Sequence, residues 1–345
     1  MINIGILGGE TEAAGELIRI LINHPDVILR QVASPEHAGL RVDSFHRGLT
    51  GDTDLCFTRE LDDPKLNCVF LLGEPWQARE YVEQADSRSH VSQLNEDEEP
   101  EDFLHIIDMT GSWLNGGEGM VYGFPEFRRK ALVRGALRAS VPSPTATLLE
   151  LALFPLAKNH LLEGTINVKV TLPHRALTAP VIDSHYDQAL STRLDPIAPI
   201  ENRTDASIAA GEALRELRQI DSTFNGTLNV SQSVSAVTTR GLRADIEIGA
   251  GISADEARHL FEEAYSDHSF TFLLDREPEV VDVANTNKCL LQITPADITG
   301  ARPGLRITAV MDALVKGCAG TAVHCMNLLF GLSERTGLAL KASTI

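Results

Sequence analysis

A thiol beside an imidazole can act as nucleophile and base, and Cys325 stands next to His324, with Cys318 a short way before them. Neighbouring positions on a helix point about 100° apart, so His324 does not face Cys325. Ordinary packing is the plainer reading of both thiols, and Cys318 and His324 remain weak candidates for a relocated nucleophile and its base. A second pairing, His174 with Arg175, could hold an anion in a pocket or lie in an exposed loop. The cysteines Cys56, Cys68, Cys289, Cys318 and Cys325 are odd in number and lack C-x-x-C spacing. They read as buried free thiols rather than a disulfide or zinc framework, and no metal site is expected.

The elements that must position such groups alternate in type. Ile2 to Leu7 is an apolar strand, Gly8-Gly9 a turn, and Glu16 to Asn23 a helix stopped by His24-Pro25. Strands follow at Val27–Ala33, Cys68–Leu72 and Leu104–Ile107 with helical matter between them, which implies a parallel, Rossmann-like sheet. Ser87 to Asp102 is polar and ends in an acidic run, which reads as a solvated insertion or as a docking tail for a basic partner. A long helix over Thr145–His160 leads to strands at Ile166–Val170, Gly226–Val230, Ala236–Ile248, Phe270–Leu274, Leu290–Ile293 and Leu305–Met311. Helices are expected at Asp205–Ile220 and Ser253–Tyr265, the second opened by a capping box of Ser253 and Glu256. A final helix, Ala319–Leu332, carries an apolar stripe of Ala322, Val323, Met326, Leu329 and Phe330.

The expected fold is thus α/β: a Rossmann-like parallel-sheet domain over 1–143, completed by the C-terminal helix 312–345, and an α+β domain with a mostly antiparallel sheet over 144–311. At 345 residues, 43% of them hydrophobic, the chain can bury two cores. It shows neither a leader-like segment nor a membrane-length apolar run, so a cytoplasmic location is expected. A formal charge of −18 repels phosphate backbones and anionic lipid, which argues against nucleic-acid and membrane partners.

Several segments carry a resemblance. The opening Ile4-Gly5-Ile6-Leu7-Gly8, with Glu16-Leu17-Ile18-Arg19 and Asn23-His24-Pro25-Asp26-Val27, is similar to that of the N-acetyl-γ-glutamyl-phosphate reductases of arginine biosynthesis. Tyr122-Gly123-Phe124-Pro125-Glu126 resembles the family's Y-G-L-P-E, Arg240-Gly241 its R-G-I turn, and Asn287-Lys288-Cys289 its S-N-x-C. Val315-Lys316-Gly317-Cys318-Ala319-Gly320, with Met326-Asn327 and Gly331-Leu332-Ser333-Glu334, resembles its C-terminal V-K-G-A-A-G stretch. The resemblance implies a semialdehyde-dehydrogenase-like fold, NADP-dependent reduction of an acyl phosphate through a cysteine thioester, and oligomers formed through the second domain.

The chain departs from that pattern at the positions that do the chemistry. Against the family's N-P-G-C-Y-P-T-A, the cysteine position is Pro142, which has no nucleophilic atom, and Ser143 follows it in the substrate-pocket segment. The cofactor turn keeps Gly8 but continues Gly9-Glu10-Thr11, setting a Cβ and a carboxylate where a diphosphate would lie, with Glu12 close by. After the second strand, Ser34 and Glu36 would favour NAD over NADP if a nucleotide binds. The family's H-R-H stretch corresponds to Glu201-Asn202-Arg203-Thr204-Asp205, which has no histidine, and its glycine loop to Leu172-Pro173-His174-Arg175. Its D-L-S-A-D-F-R becomes Asp108 to Leu114 and loses an arginine.

These departures imply a diverged member that is catalytically inactive, binds the cofactor weakly or not at all, and serves a structural or regulatory role in a homo-oligomer (dimer or tetramer) or beside an active paralogue. Two alternatives stand. One is an NAD(P)-dependent oxidoreductase with a relocated nucleophile. The other is a ligand-binding sensor that uses the old cleft, with Arg175, Arg203 and Arg240 as its basic lining.

Overall fold

The computed structural model describes residues 1–92, 104–173, 197–199, 204–235, 238–297 and 304–342. They fall into two compact units. In the first, which includes Met1–Pro142 and Cys318–Leu338, strand β1 (Ile2–Leu7) is apolar on both faces, as suits a central parallel strand. It leads to α1 (Glu12–Leu21), which Thr11 caps by accepting from the Ala14 N–H. Strand β2 (Val27–Ala33), the short α2 (Val42–Phe45), β3 (Phe57–Thr58), β4 (Cys68–Leu71) and α3 (Pro75–Ser92) follow. Then come β5 (His105–Asp108), β6 (Met120–Tyr122), α4 (Pro125–Val133) and β7 (Arg138–Ser140). The sheet order is β3-β2-β1-β4-β5-β7-β6, with every pairing parallel. Strand order therefore reverses between β1 and β4, the place where open α/β sheets take ligands.

The second unit starts at Ser143, the N-cap of α5 (Pro144–Lys158). Its sheet joins β8 (Thr165–Pro173), β9 (Ile197–Pro199), β10 (Thr227–Ser235), β11 (Gly241–Gly249), β12 (Thr271–Leu273), β13 (Cys289–Ala296) and β14 (Gly304–Asp312). The order is β12-β13-β14-β11-β8-β10-β9; β8 with β10 and β12 with β13 are parallel, and the other four pairings are antiparallel. Alternation along β11 buries Leu242, Ala244, Ile246 and Ile248 and leaves Arg243, Asp245 and Glu247 partly exposed. Helix α5 packs against β11, β13 and β14, and against α6 (Thr204–Ile220) and α7 (Ala254–Tyr265). The capping box of Ser253 and Glu256 is formed as expected.

Helix α5 contains Pro155, whose missing N–H leaves the Leu151 carbonyl without its helical donor. The Tyr265 hydroxyl, on α7, donates to that carbonyl instead. A proline that would ordinarily break a helix is thus tolerated through one tertiary hydrogen bond.

Several boundaries differ from those expected. Helix α1 begins at Glu12 rather than Glu16, because the Thr11 cap sets its start. Helix α3 continues through Ser92 into the stretch read as an insertion, whose acidic run lies outside the described residues. Strand β11 starts at Gly241, not Ala236. The last helix, α8 (Gly320–Leu329), follows a π-helical turn at Val315–Ala319 and stops where Gly331 takes φ +66° and Leu332 N–H bonds the Asn327 carbonyl. It is buried all round from Gly320 to Leu328 rather than along a stripe, because it packs on α1, α4 and β5 together. Cys56 is exposed; the other four thiols are buried, and burial pushes the Cys68 thiol well above its ordinary pKa. No helix of the described residues is long and apolar enough to cross a membrane, and none of their His, Cys, Asp and Glu groups is placed to hold a metal.

Candidate functional site

In the first unit the turn after β1 is built by close backbone approach. Gly8 has φ +79°, and a Cβ there would lie 2.1 Å from the Gly73 nitrogen, so the β4–α3 connection fixes a glycine at this point. The Gly8 and Gly9 N–H groups both donate to the Ala33 carbonyl, at 3.1 and 2.9 Å. Thr11 N–H points to the Gly8 carbonyl, and the Thr11 hydroxyl takes up the Ala14 N–H at 3.1 Å. The N–H groups of Gly8, Gly9, Thr11 and Ala14, which a phosphate-binding turn could present, are thus engaged within the chain. His46 lies over the same turn: its Nε2 is 2.7 Å from the Gly9 carbonyl, and its ring seats where a Cβ on Gly15 would otherwise be. Burial holds the His46 ring below its ordinary pKa. Glu10 keeps one carboxylate oxygen buried without a hydrogen-bond partner.

The neighbouring candidates are also engaged. Ser34 is fully buried and its hydroxyl meets His37 Nδ1 at 2.9 Å, while Glu36 is exposed. At the end of β5 the buried Asp108 accepts from Thr110 N–H (2.8 Å), the Thr110 hydroxyl (2.6 Å) and the Ser140 hydroxyl (2.6 Å). This carboxylate is satisfied by neutral donors and ties β5 to β7. Pro142 is buried. Cys325 donates to the Gly123 carbonyl, whereas His324 Nε2 lies 2.9 Å from a Glu334 carboxylate that also pairs with Arg129. Cys318 is buried, at 8% exposure.

In the second unit Ser143 caps α5 and Pro144 occupies its first turn, where a missing N–H costs nothing. Glu212, on α6, closes on that cap. Its Oε1 accepts the Ser143 N–H at 3.1 Å and its Oε2 the Ser143 hydroxyl at 2.7 Å, with only 4% of the residue exposed. A helix N-terminus carries partial positive charge and attracts an anion, and here the anion is a side chain of the same unit. A Cβ on Gly317 would lie 2.7 Å from Pro144 Cβ, so the π-helical turn also presses on this start. Arg240 is bidentate on the fully buried Asp312, which takes the Leu314 and Val315 N–H groups as well. His174, Arg175 and Arg203 lie outside the described residues.

Glu212 did not emerge from motif reading. A periodic signal was nevertheless present: Glu212 and Glu216 stand among Ala209, Ala213 and Leu217 on the buried face of α6, and both are 4% exposed. Carboxylates inside an apolar stripe call for buried donors.

The fold is similar to that of solved aspartate semialdehyde dehydrogenases. Aspartate semialdehyde dehydrogenase II of Vibrio cholerae, solved with ASA, superposes with a TM-score of 0.68 over 96% of this chain and 98% of that one, at 16% identity. The Candida albicans aspartate semialdehyde dehydrogenase solved with NADP gives a TM-score of 0.68 over the same shares, at 13% identity. No family model matches the chain. In sequence it is 36% identical to the N-acetyl-gamma-glutamyl-phosphate reductase of Parabacteroides distasonis, over 99% of each protein. It is 33% identical to that of Christiangramia forsetii, again over 99% of each. The chain belongs to the N-acetyl-gamma-glutamyl-phosphate reductase family.

Proposed function

We propose that this chain is a non-catalytic member of its family, with a structural or regulatory role. The observation that carries the reading is the start of α5. The family pattern puts a cysteine at position 142, but this chain has a buried proline there and a Glu212 carboxylate on the next residue's N–H and hydroxyl. A proline cannot form the thioester from which hydride reduction proceeds. A fixed carboxylate at the helix start also repels the phosphate of an acyl-phosphate substrate.

The first turn supports the same reading for the cofactor. A nicotinamide dinucleotide would need diphosphate-binding N–H groups, yet those of Gly8 and Gly9 are bonded to Ala33 and the Glu10 carboxylate stands beside them. These residues do not fit a dinucleotide, neither NADP nor NAD. The retained scaffold serves association, with a second copy or an active paralogue. The partly exposed face of the second sheet supports this, because a groove there sets Lys169, Arg243 and Arg306 against Asp245, Glu247 and Glu277. That balanced patch lowers the repulsion between two chains of charge −18.

The purified protein should show no NADPH-dependent reduction of N-acetyl-glutamyl phosphate, and calorimetric titration should detect no micromolar binding of NADP or NAD. Pro142→Cys should remain inactive, because the catalytic groups act as a unit. Turnover at an ordinary enzyme rate, or micromolar nucleotide affinity, would overturn the reading.

A further inference from the structure

We propose that His24 is a proton-sensitive latch that holds the C-terminal segment 331–338 on the first unit. His24 follows α1 and is 4% exposed. Its two ring nitrogens have opposite duties. The Asp26 N–H donates to Nδ1 at 3.2 Å, so Nδ1 bears a lone pair and the single ring proton sits on Nε2. Nε2 in turn faces Asn327 Oδ1 at 3.1 Å. With its oxygen turned to the histidine, Asn327 directs its amide N–H groups to the Thr336 carbonyl (2.9 Å) and the Glu334 carbonyl (3.3 Å). The backbone of the segment also rests on the imidazole: Gly337 has φ +71°, and a Cβ there would lie 2.3 Å from His24 Cδ2. Leu338, at 1% exposure, completes the anchorage.

Only the neutral ring satisfies this chain of bonds. A second proton would go on Nδ1 and point at the Asp26 N–H, setting donor against donor in a buried space. Burial accordingly holds His24 below the ordinary imidazole value of 6.5, against smaller opposing effects of Asn327, the Asp26 charge and the Thr336 carbonyl. The charged groups near the far side of the segment are His324, Glu334 and Arg129. His324 and Arg129 keep the Glu334 carboxyl below its ordinary value of 4.5 despite nearby Glu126, so that carboxyl protonates in a lower pH range. The sign follows. A histidine whose folded pKa is depressed stabilises the closed segment fully above 6.5, and that contribution is lost as pH falls below it.

Hydrogen exchange of peptides covering 331–342, corrected for intrinsic rates, tests the latch on the full chain at pH 7.5, 6.0 and 5.0. The opening equilibrium should rise by up to about tenfold per pH unit below 6.5, the slope of one proton. His24→Gln, which can still donate to Asn327 but cannot titrate, should abolish the pH step. Side-chain nitrogen NMR of the unmodified protein gives a readout that does not depend on the variant folding. His24 should appear as the Nε2–H tautomer and remain neutral at pH 6.5. Unchanged protection down to pH 5, a pH step that survives in His24→Gln, or a ring half-protonated at or above 6.5 would each overturn the proposal. None of these outcomes depends on whether the chain is catalytic.

Discussion

Replacing Glu212 is the sharpest probe of the α5 start, because opposing effects of similar size meet there. The carboxylate accepts from Ser143 N–H at 3.1 Å and from the Ser143 hydroxyl at 2.7 Å, and it is almost fully buried. Hydrogen bonds to a charged group contribute about 1.5–3 kcal/mol each, and an anion in the first turn adds about 0.3–1 kcal/mol. Against this stands the desolvation of a buried carboxylate, several kcal/mol, which disappears with the side chain. Glu212→Ala also leaves the half-buried Ser143 N–H without its acceptor, which costs up to about 3 kcal/mol. The orphaned donor decides the sign, and a net loss of about 2 kcal/mol is expected for Glu212→Ala. Glu212→Gln keeps one carbonyl acceptor, and its amide N–H can donate to the reoriented hydroxyl, so about 1 kcal/mol is expected. Urea denaturation followed by circular dichroism should rank the parent above Glu212→Gln and that above Glu212→Ala. A cycle with Ser143→Ala should show coupling above about 1 kcal/mol. Added inorganic phosphate should stabilise Glu212→Ala and leave the parent unchanged. An alanine variant as stable as the parent, or more so, would refute the view that this carboxylate serves as the helix's own anion.

Tyr265→Phe should cost about 1–3 kcal/mol, because it leaves the buried Leu151 carbonyl without a donor. In a Pro155→Ala background the restored N–H serves that carbonyl, so the same change should cost less by at least about 1 kcal/mol; an additive cycle would count against the compensation. Gly8→Ala meets both a left-handed φ of +79° and the Gly73 nitrogen at 2.1 Å. Gly135→Ala meets only its φ of +89°, with nothing within 4 Å. The second should lose about 1 kcal/mol and the first several more, measured as soluble yield and denaturation midpoint. Equal losses would show that the β4–α3 turn can move away.

Much of the fold was legible because strands and turns announce themselves by period and by glycine. The apolar run of β1, the alternation in β11 and the capping box at Ser253 each follow from a few adjacent residues. The site was legible only as losses. Pro142 and Glu10 could be recognised as residues unsuited to chemistry, but what replaced the lost interactions depends on groups distant in sequence. Glu212 reaches Ser143 across 69 positions, and His46 reaches Gly9 across 37. Motif spacing carries no information at that range. The same limit hid Tyr265, which makes an interior proline tolerable from 114 positions away. The helix boundaries that moved at α1 and α8 were set by a single cap and a single left-handed glycine, signals one residue wide.

Two helix starts in this chain are each capped by a hydroxyl with a carboxylate nearby, and at α5 that carboxylate is hydrogen-bonded to the cap. At α1 a threonine caps the first turn, with Glu10 before it and Glu12 at its first position; at α5 a serine caps the first turn, with Glu212 closing on it. Each is a place where the family pattern puts an external anion or a thiolate. A side-chain carboxylate tethered at such a point competes with any diffusing anion at a high effective concentration and is never released. On the proposed reading a cysteine at position 142 alone should not restore turnover, because the Glu212 carboxylate on the Ser143 cap opposes the helix field that would stabilise its thiolate. Reactivity would first require removing the internal anion, and the Ser143 N–H orphaned by that step makes the vacated helix start less stable unless a ligand occupies it.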